Sequence, residues 1–306
     1  MSKYLPSSLS YFLPDPVVGP DDYFLPEPSL MVAIKTVAQT PVPVPKAPPI
    51  QFSTNPEALE HNARLLKAHH YSMDVLISPH QATTLTYGSE FRPIAQLEGV
   101  LGKDPHFPQL RTILTEGMDF RFNRTLRETE RITELEQILS RGNHKSAEDE
   151  PDAVARLLAK DVTHGFSMPL SLDIVKLIPG ALAQPLGMAK QVTLNDAGER
   201  IPKYRLTQDL SFSLSQEDCL VNDRIDMDQY NEMIYGWCLS RIIHFVVALR
   251  ARFPTNHILM SKYDYSDAYR RIAHAASAAS QSISVFNEIA YVALRLTFCG
   301  SPNPPT

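Results

Sequence analysis

The sequence predicts an α+β protein in which helices come first and antiparallel strands follow. Apolar residues recur at helical spacing within residues 56–180, whereas residues 181–306 contain alternating apolar stretches that flank polar turns. Residues 1–55 show neither pattern and hold 11 of the 25 prolines. We therefore expect three regions: a proline-rich segment (1–55), a helical region (56–180) and a mixed region with β-hairpins (181–306).

The proline-rich segment is expected to be extended and mostly disordered, because proline fixes φ and removes a backbone donor. The helical region contains three helix signals, each with a capping residue or a proline in its first turn. The expected helices begin at Pro56 with Asn55 as N-cap, cover about Leu126 to Arg141 before Gly142, and cover about Asp152 to Lys160 after Pro151.

The mixed region predicts two hairpins with helices and one short strand between them. Its expected elements, in order, are a hairpin of 191–194 and 204–207, a helix from about Met233 to Arg252, a strand from His257 to Tyr263, a helix from about Asp267 to Ala279, and a hairpin of 282–286 and 290–295 that turns at Asn287-Glu288. The short strand leads directly into Asp264, which makes this acid a candidate for chemistry.

Composition excludes several classes of protein. Three cysteines without metal-ligand spacing argue against a disulfide framework and a zinc site, and they suit a reducing intracellular compartment, with cytoplasm and nucleus both open. The N-terminus lacks the apolar run of a secretory signal. Arg241 and His244 interrupt the most apolar stretch, so we expect no membrane span. A net charge of -5 does not favour nucleic-acid binding, which must then depend on local basic patches.

The segment Ser261-Lys-Tyr-Asp-Tyr-Ser-Asp-Ala-Tyr269 carries the sharpest chemical signal. A carboxylate at the end of a strand is held at a sheet edge, where a hard divalent cation can bind together with phosphate oxygens. The alternative is structural: Asp264 ends a strand, Asp267 caps a helix and Tyr269 belongs to the core.

Two other segments add to this signal. Lys203-Tyr-Arg-Leu-Thr-Gln-Asp-Leu-Ser211, followed by Val221-Asn-Asp223, places an arginine four positions before an aspartate. Leu296-Thr-Phe-Cys-Gly-Ser-Pro-Asn-Pro-Pro305 places a proline six positions after Phe298.

Together the three segments resemble the reverse transcriptases of retrotransposons. A longer pattern, Tyr87-Gly-Ser-Glu-Phe-Arg-Pro93 and Gly142-Asn-His-Lys-Ser-Ala147 with Arg205–Phe212 and Val221-Asn222, most closely resembles the tyrosine-recombinase (DIRS-like) group. The resemblance covers about residues 185–306. It implies a partial right-hand polymerase, with a β-hairpin of the fingers and an incomplete palm sheet packed on helices. It also implies RNA or DNA template-primer and deoxynucleoside triphosphates as partners, and leaves the oligomeric state open.

The resemblance assigns a role to each matching residue. Asp264 is the implied catalytic ligand of Mg²⁺, of which the complete enzyme holds two ions, and the backbone carbonyl of Tyr265 helps bind the second. Asp267 and Ala268 lie beside the triphosphate, and Tyr269 excludes a sugar 2′-hydroxyl. Arg205 grips the β- and γ-phosphates. Phe298 belongs to a nucleotide-pocket loop, where Cys299 occupies the usual glycine position. Lys190, Arg200 and Lys203 are all candidates for a second basic role.

The family needs a second pair of carboxylates on a Tyr-x-Asp-Asp hairpin, and the 306 residues contain no such segment. We therefore expect a fragment of a polymerase that does not polymerise alone. The alternatives are a non-catalytic retroelement relic or a domesticated module that binds nucleic acid or protein, and an unrelated globular protein. An in-frame Asp-Asp hairpin in the genome downstream of Thr306 favours the polymerase, and a stop codon favours the relic.

Overall fold

The computed structural model describes residues 28–39, 49–81, 94–195, 197–212, 221–229, 238–260 and 268–297. Helices and small antiparallel sheets make up the described chain, which confirms the α+β prediction. The chain divides into two compact units, a smaller one of Met1–Thr40 with Asn231–Ser266 and a larger one of Pro41–Tyr230 with Asp267–Thr306.

The helices are numbered in chain order. They are α1 (Pro28–Gln39), α2 (Pro56–Ala68), α3 (Asp74–Gln81), α4 (Ile94–Leu101), α5 (Phe107–Glu116), α6 (Glu128–Arg141), α7 (Lys145–Glu148), α8 (Pro151–Thr163), α9 (Leu172–Val175), α10 (Cys238–Arg252) and α11 (Ala276–Ser280). Short 3-10 turns cover Asn222–Arg224, Met227–Gln229 and Ala268–Arg271. The strands are β1 (Ser167–Ser171), β2 (Leu186–Leu194), β3 (Arg200–Gln208), β4 (Ile283–Phe286) and β5 (Ile289–Ala293).

A three-stranded antiparallel sheet of order β1-β5-β4 lies at the centre of the larger unit. Strand β5 pairs with β1 on one side and with β4 on the other, and its successive side chains belong to two different cores. Ala290 and Val292 join the main core, while Tyr291 joins a second core. The main core consists of fully or almost fully buried apolar side chains from helices and strands, among them Leu66, Leu76, Leu135, Met168, Leu170 and Ile283. The sheet therefore sets the positions of the two cores that pack on its faces.

Helix α2 begins where the capping signal predicts. The Asn55 side chain accepts a hydrogen bond from the Ala58 backbone N–H at 2.8 Å, and Pro56 occupies the first turn. One face of α2 packs on β1 through Asn62, which is completely buried. Its amide donates to the carbonyls of Gln51 and Pro169 and accepts from the Gln51 N–H, each at 2.9 Å. Asn62 thus ties an irregular segment and the edge strand β1 to one helix.

Both predicted hairpins are confirmed. Strands β4 and β5 turn at Asn287 and Glu288, whose φ values of 49° and 61° are those of a type I′ turn. Strands β2 and β3 pair over nine residues each, from Leu186 opposite Gln208 to Leu194 opposite Arg200. The predicted helices at 126–141 and 152–160 are also confirmed, as α6 and α8.

Three expectations are wrong in part. Helix α1 lies inside the tract expected to be extended, because no proline interrupts its 12 residues after Pro28. The helix expected over 267–279 is split into a 3-10 turn and α11, because residues 273–274 pair with Met118 and Arg295 instead. Residues 257–260 of the expected strand have no regular secondary structure, and Leu259 and Met260 are 91% and 74% exposed rather than packed in a sheet.

None of the helices in the described ranges is both long enough and apolar enough to cross a membrane.

Replacement of Asn62 by alanine is predicted to lower the free energy of unfolding by about 2–4 kcal/mol, because it removes two hydrogen bonds to the Gln51 backbone and leaves the buried Pro169 carbonyl without this donor. Denaturant unfolding measures this loss. The control is Arg64→Ala on the same helix, whose side chain is 70% exposed and whose removal should change stability by less than about 0.5 kcal/mol. Equal effects of the two substitutions would show that Asn62 is not a structural tie.

Candidate functional site

The hairpin β2–β3 presents two faces of different character. On one face Leu186, Met188 and Leu206 pack against α8 and Tyr291 in the second core. Because side chains alternate along a strand, the other face carries the remaining positions of both strands. These are Gly187, Ala189, Gln191 and Thr193, opposite Thr207, Arg205, Lys203 and Ile201. This second face, which we call the open face, combines small and polar residues with two cations.

The register separates the basic residues of the hairpin. Lys203 is exposed and Arg205 is half-buried, and both belong to the open face. Lys190 lies on the opposite face, where its Nζ is 2.9 Å from Oε1 of Glu150 and 5.3 Å from the centre of the Tyr204 ring. The hydrogen bond raises the pKa of Lys190 and lowers that of Glu150. Of the three candidates for a second basic role, Lys203 is therefore the one beside Arg205.

The loop between α6 and α7 fixes the base of the hairpin. Asn143 accepts from the Leu186 N–H at 2.8 Å and donates to the Val285 carbonyl at 2.9 Å. His144 donates its backbone N–H to the Leu186 carbonyl, and its Nε2 is 2.9 Å from Oδ2 of Asp209. The polar residues of this loop are thus used in structural contacts, which join β2, β4 and the end of β3.

Asp209 stands four residues after Arg205, at the position where the sequence motif places its aspartate. Its partner His144 packs edge-on against Phe212, with ring centres 5.6 Å apart, and the Arg141 guanidinium lies 4.2 Å from the centre of the same ring. The motif aspartate is therefore used in a structural contact that anchors the end of β3 to the loop between α6 and α7.

The segment that follows Ala268 is held by an ion pair that sequence inspection missed. Nη2 of Arg270 is 2.5 Å from Oδ2 of Asp161 on α8, and the guanidinium is 5.7 Å from the centre of the Phe166 ring. Both charged side chains are largely buried. The neighbouring Tyr269 is 53% exposed, which argues against the alternative that it is a core residue.

His274 is completely buried next to this segment. Its Nδ1 is 3.1 Å from the Ala293 carbonyl, and its backbone N–H donates to the Leu294 carbonyl at 2.9 Å. Burial lowers the pKa of the imidazole to about 3; the hydrogen bond to Ala293 opposes this shift, and the charges of Arg270 and Arg295 add to it. His274 is therefore neutral in the folded protein at physiological pH.

A small cleft in the larger unit, which we call the motif cleft, contains residues that lie within or directly next to the three sequence motifs. Thr207 and Gln208 come from the strand of Arg205, Arg270 follows Tyr269, and Thr297 precedes Phe298. Helix α8 contributes Leu158 and Asp161, and the central sheet contributes its own side chains. Those sheet residues are Ser167, Ser284, Tyr291 and Ala293.

Several predicted site residues cannot be placed. Asp264, Tyr265, Asp267 and Phe298 lie outside the described residues, and only the backbone is described for Ala268, where the 3-10 turn begins. Within the described ranges no group of three or more His, Cys, Asp or Glu side chains could hold a metal ion.

A larger cavity of about 150 Å³ lies away from these motifs, between the end of α6 and the turn of β4–β5. Its lining includes Ile138, Leu139, Pro185 and Val285 and contains no charged side chain. This cavity has no charged side chain for acid-base or phosphate chemistry, so the open face of the hairpin remains the better candidate site.

No family model, no curated protein and no solved structure matches this chain.

The buried His274 predicts a specific pH dependence of stability. The unfolded chain binds a proton at His274 near pH 6.5 and the folded chain only near pH 3, so the unfolded state holds more protons between these values. Stability should therefore fall as pH falls from 6.5 towards 3, with a contribution approaching about 1.4 kcal/mol per pH unit.

His274→Gln keeps a donor for the Ala293 carbonyl but cannot titrate, so its plot of unfolding free energy against pH should be shallower than that of the unsubstituted protein. Urea unfolding between pH 7 and 4 measures both slopes. His69→Gln, at an exposed position, is the control and should retain the original slope. Parallel plots for the His274 variant and the unsubstituted protein would contradict the assignment.

Proposed function

We propose that this chain carries the fingers and the first part of the palm of a retroelement RNA-directed DNA polymerase. The observation that carries the proposal is the cleft where residues next to Arg205, Tyr269 and Phe298 meet. These three segments are separated in sequence, and each resembles a nucleotide-site motif of the reverse transcriptases. A polymerase site requires such segments to meet, and this convergence supports the proposal.

The open face of the hairpin supports a phosphate-binding role. Arg205 and Lys203 are two residues apart on β3 and share this face, where the small Ala189 lies opposite Arg205 and the polar Gln191 lies opposite Lys203. A guanidinium can donate two parallel hydrogen bonds to phosphate oxygens, and an ammonium adds a point charge. The two cations are thus suited to the β- and γ-phosphates of a deoxynucleoside triphosphate.

The exposed ring of Tyr269 supports its proposed role as the residue that selects the sugar. Its neighbour Arg270 is fixed to Asp161, so the turn that carries Tyr269 is anchored on α8. In the complete enzyme, the ring would contact the sugar of the incoming nucleotide and exclude a 2′-hydroxyl. Asp267, Ala268 and Phe298 would complete the pocket around the triphosphate and base.

Asp264 and the carbonyl of Tyr265 are the proposed ligands of Mg²⁺. Carboxylate and carbonyl oxygens are the donors that this ion prefers, and two such ions, when bound, stabilise the attacking and leaving oxygens of phosphoryl transfer. The residues of this chain would orient the triphosphate and the primer end, and Asp264 would supply the negative charge that the ions need. Template-primer nucleic acid is the proposed macromolecular partner.

A second candidate is a non-catalytic retroelement relic or a domesticated binding module. The absence of regular structure at 257–260, just before Asp264, favours it. So do exposed apolar side chains on one side of α10, where Leu239, Ile242 and Val247 are 70%, 52% and 61% exposed. Exposed apolar groups of this kind are typical of a surface that binds a partner.

Binding of deoxynucleoside triphosphate to the 306-residue chain tests the open face. Arg205→Ala should weaken binding about 10-fold to 100-fold, because it removes a charge-assisted hydrogen-bonding group. Isothermal titration with Mg²⁺ and a non-hydrolysable deoxynucleoside triphosphate measures the change. Lys190→Ala, on the opposite face of the same hairpin, is the matched control and should bind as the unsubstituted chain does. If both variants lose affinity equally, the face assignment is wrong.

Primer extension tests the catalytic assignment. The 306 residues alone should not extend a primer, since they lack a Tyr-x-Asp-Asp segment. For a protein in which these 306 residues are joined to a Tyr-x-Asp-Asp segment, Asp264→Asn should reduce extension by at least about 100-fold, because a metal ligand is lost. Asp228→Asn, at an exposed carboxylate, is the control. Unchanged extension by the Asp264 variant would remove this residue from the mechanism.

A further inference from the structure

The motif cleft contains three polar atoms that lack hydrogen-bond partners within the described part of the chain. They are Nε2 of Gln208, Nη1 of Arg270 and Oγ1 of Thr297. Gln208 and Thr297 are only 5% and 6% exposed, so bulk water does not satisfy them freely. Each of these atoms comes from a different segment of the chain: the end of β3, the turn after Tyr269 and the residues that follow β5.

Such a concentration of unsatisfied groups needs an explanation, because buried polar groups in native proteins are nearly always hydrogen-bonded. Two of the three atoms are N–H donors, and the third belongs to a hydroxyl that can donate or accept. The missing component must therefore accept at least two hydrogen bonds. The positive charge of Arg270 is already balanced by Asp161, so the acceptor need not be an anion.

The size of the cleft sets a second limit. The volume open to a water-sized sphere is about 20 Å³. An ordered water needs at least about 10 to 15 Å³ of such space and two to four polar partners. The cleft therefore has room for a single water molecule, and three of the residues that line it each have a polar atom without a partner, whereas a nucleotide fragment or a polyatomic anion is too large.

We propose that the cleft is a binding site for one ordered water molecule that joins the hairpin β2–β3 to the central sheet. The water accepts from Nε2 of Gln208 and from Nη1 of Arg270, and it donates one proton to Oγ1 of Thr297. Its second proton remains for another acceptor that lines the cleft. This inference goes beyond the proposed polymerase function and does not depend on it.

The water would have a positioning role. Gln208 lies three residues after Arg205, while Arg270 and Thr297 are the immediate neighbours of Tyr269 and Phe298. A shared water would hold these three segments at fixed separations without any direct hydrogen bond between their side chains. Such a link is rigid only while all of its partners remain, since each partner restricts the position of the others.

Thr297→Val tests the proposal, because valine has nearly the same shape and lacks the hydroxyl. If the water is present, valine removes one of its partners, and the ratio of unfolded to folded protein should rise about 5-fold to 30-fold. If the cleft is dry, the substitution replaces an unsatisfied polar atom by an apolar one, and stability should stay constant or increase. A neutral or stabilising effect would therefore overturn the proposal.

Ser282→Ala is the matched control. Oγ of Ser282 is also buried and lacks a partner within the described residues, but Ser282 does not line the cleft. Its removal should leave stability unchanged or raise it. Equal destabilisation by both variants would mean that loss of a hydroxyl, rather than loss of a water partner, explains the result, and this too would overturn the proposal.

Coupling between substitutions gives an independent readout. Gln208→Leu should also destabilise the fold. In the double variant, the ratio of unfolded to folded protein should rise by less than the product of the two single-variant factors, because both substitutions remove partners of the same water. Strictly multiplicative effects would contradict a shared ligand. A crystal structure of the unsubstituted chain should show a solvent peak within hydrogen-bonding distance of Gln208 Nε2 and Thr297 Oγ1, and an empty cleft at high resolution would exclude the water.

Discussion

The candidate site depends on one strand. β5 is the middle strand of the sheet, buried on both faces, and the chain beyond it forms backbone hydrogen bonds with two distant segments. Leu294 donates to the Phe166 carbonyl at 2.9 Å, and Leu296 donates to the Ile272 carbonyl at 3.0 Å. These bonds bring the turn of Arg270 alongside Thr297. The position of both residues in the cleft is therefore set by backbone pairing, which no surface substitution can easily change.

Buried polar side chains hold the irregular segments around this sheet. Arg131 is 4% exposed, pairs with Glu128 on its own helix, and donates to the carbonyls of Ala181 and Lys176 at 3.0 and 3.1 Å. Arg224 is 2% exposed and donates to Oε1 of Gln281 at 2.6 Å, while its guanidinium lies 4.5 Å from the centre of the Phe122 ring. Burial of a guanidinium is unfavourable unless its donors are satisfied. The segments that supply acceptors to these guanidinium groups are therefore held in defined positions, as the helices are.

Local signals in the sequence predicted local structure well. Asn55 marks the start of α2, Gly142 marks the end of α6, and the alternating stretches around Asn287-Glu288 form a hairpin, because each signal acts within a few residues. The break within 267–279 could not be predicted in this way. An alanine-rich stretch favours a helix, and only its pairing with Met118 and Arg295, far away in the sequence, overrides that preference.

The same distinction applies to the site. The sequence proposed Arg205 and Tyr269 as site residues, but the contacts that position the surrounding residues connect distant parts of the chain, as in the pair of Asp161 and Arg270, which are 109 positions apart. Patterns among neighbouring residues cannot predict such a pair. The choice among the hairpin lysines likewise needed the register of β2 and β3, because a shift by one residue would exchange their faces.

The register also shows how an acidic chain can present cations locally, as the proposed phosphate-binding role requires. The net charge of -5 is spread over 306 residues, and charges more than about 8 Å apart in solvent are largely screened at physiological salt. The local arrangement matters more: Glu150 balances Lys190 on the packed face, while Lys203 and Arg205 share the open face. A polyphosphate approaching the open face would meet these two cations at close range. For the proposed phosphate site, the alternation of side chains along one hairpin therefore matters more than the total charge of the chain.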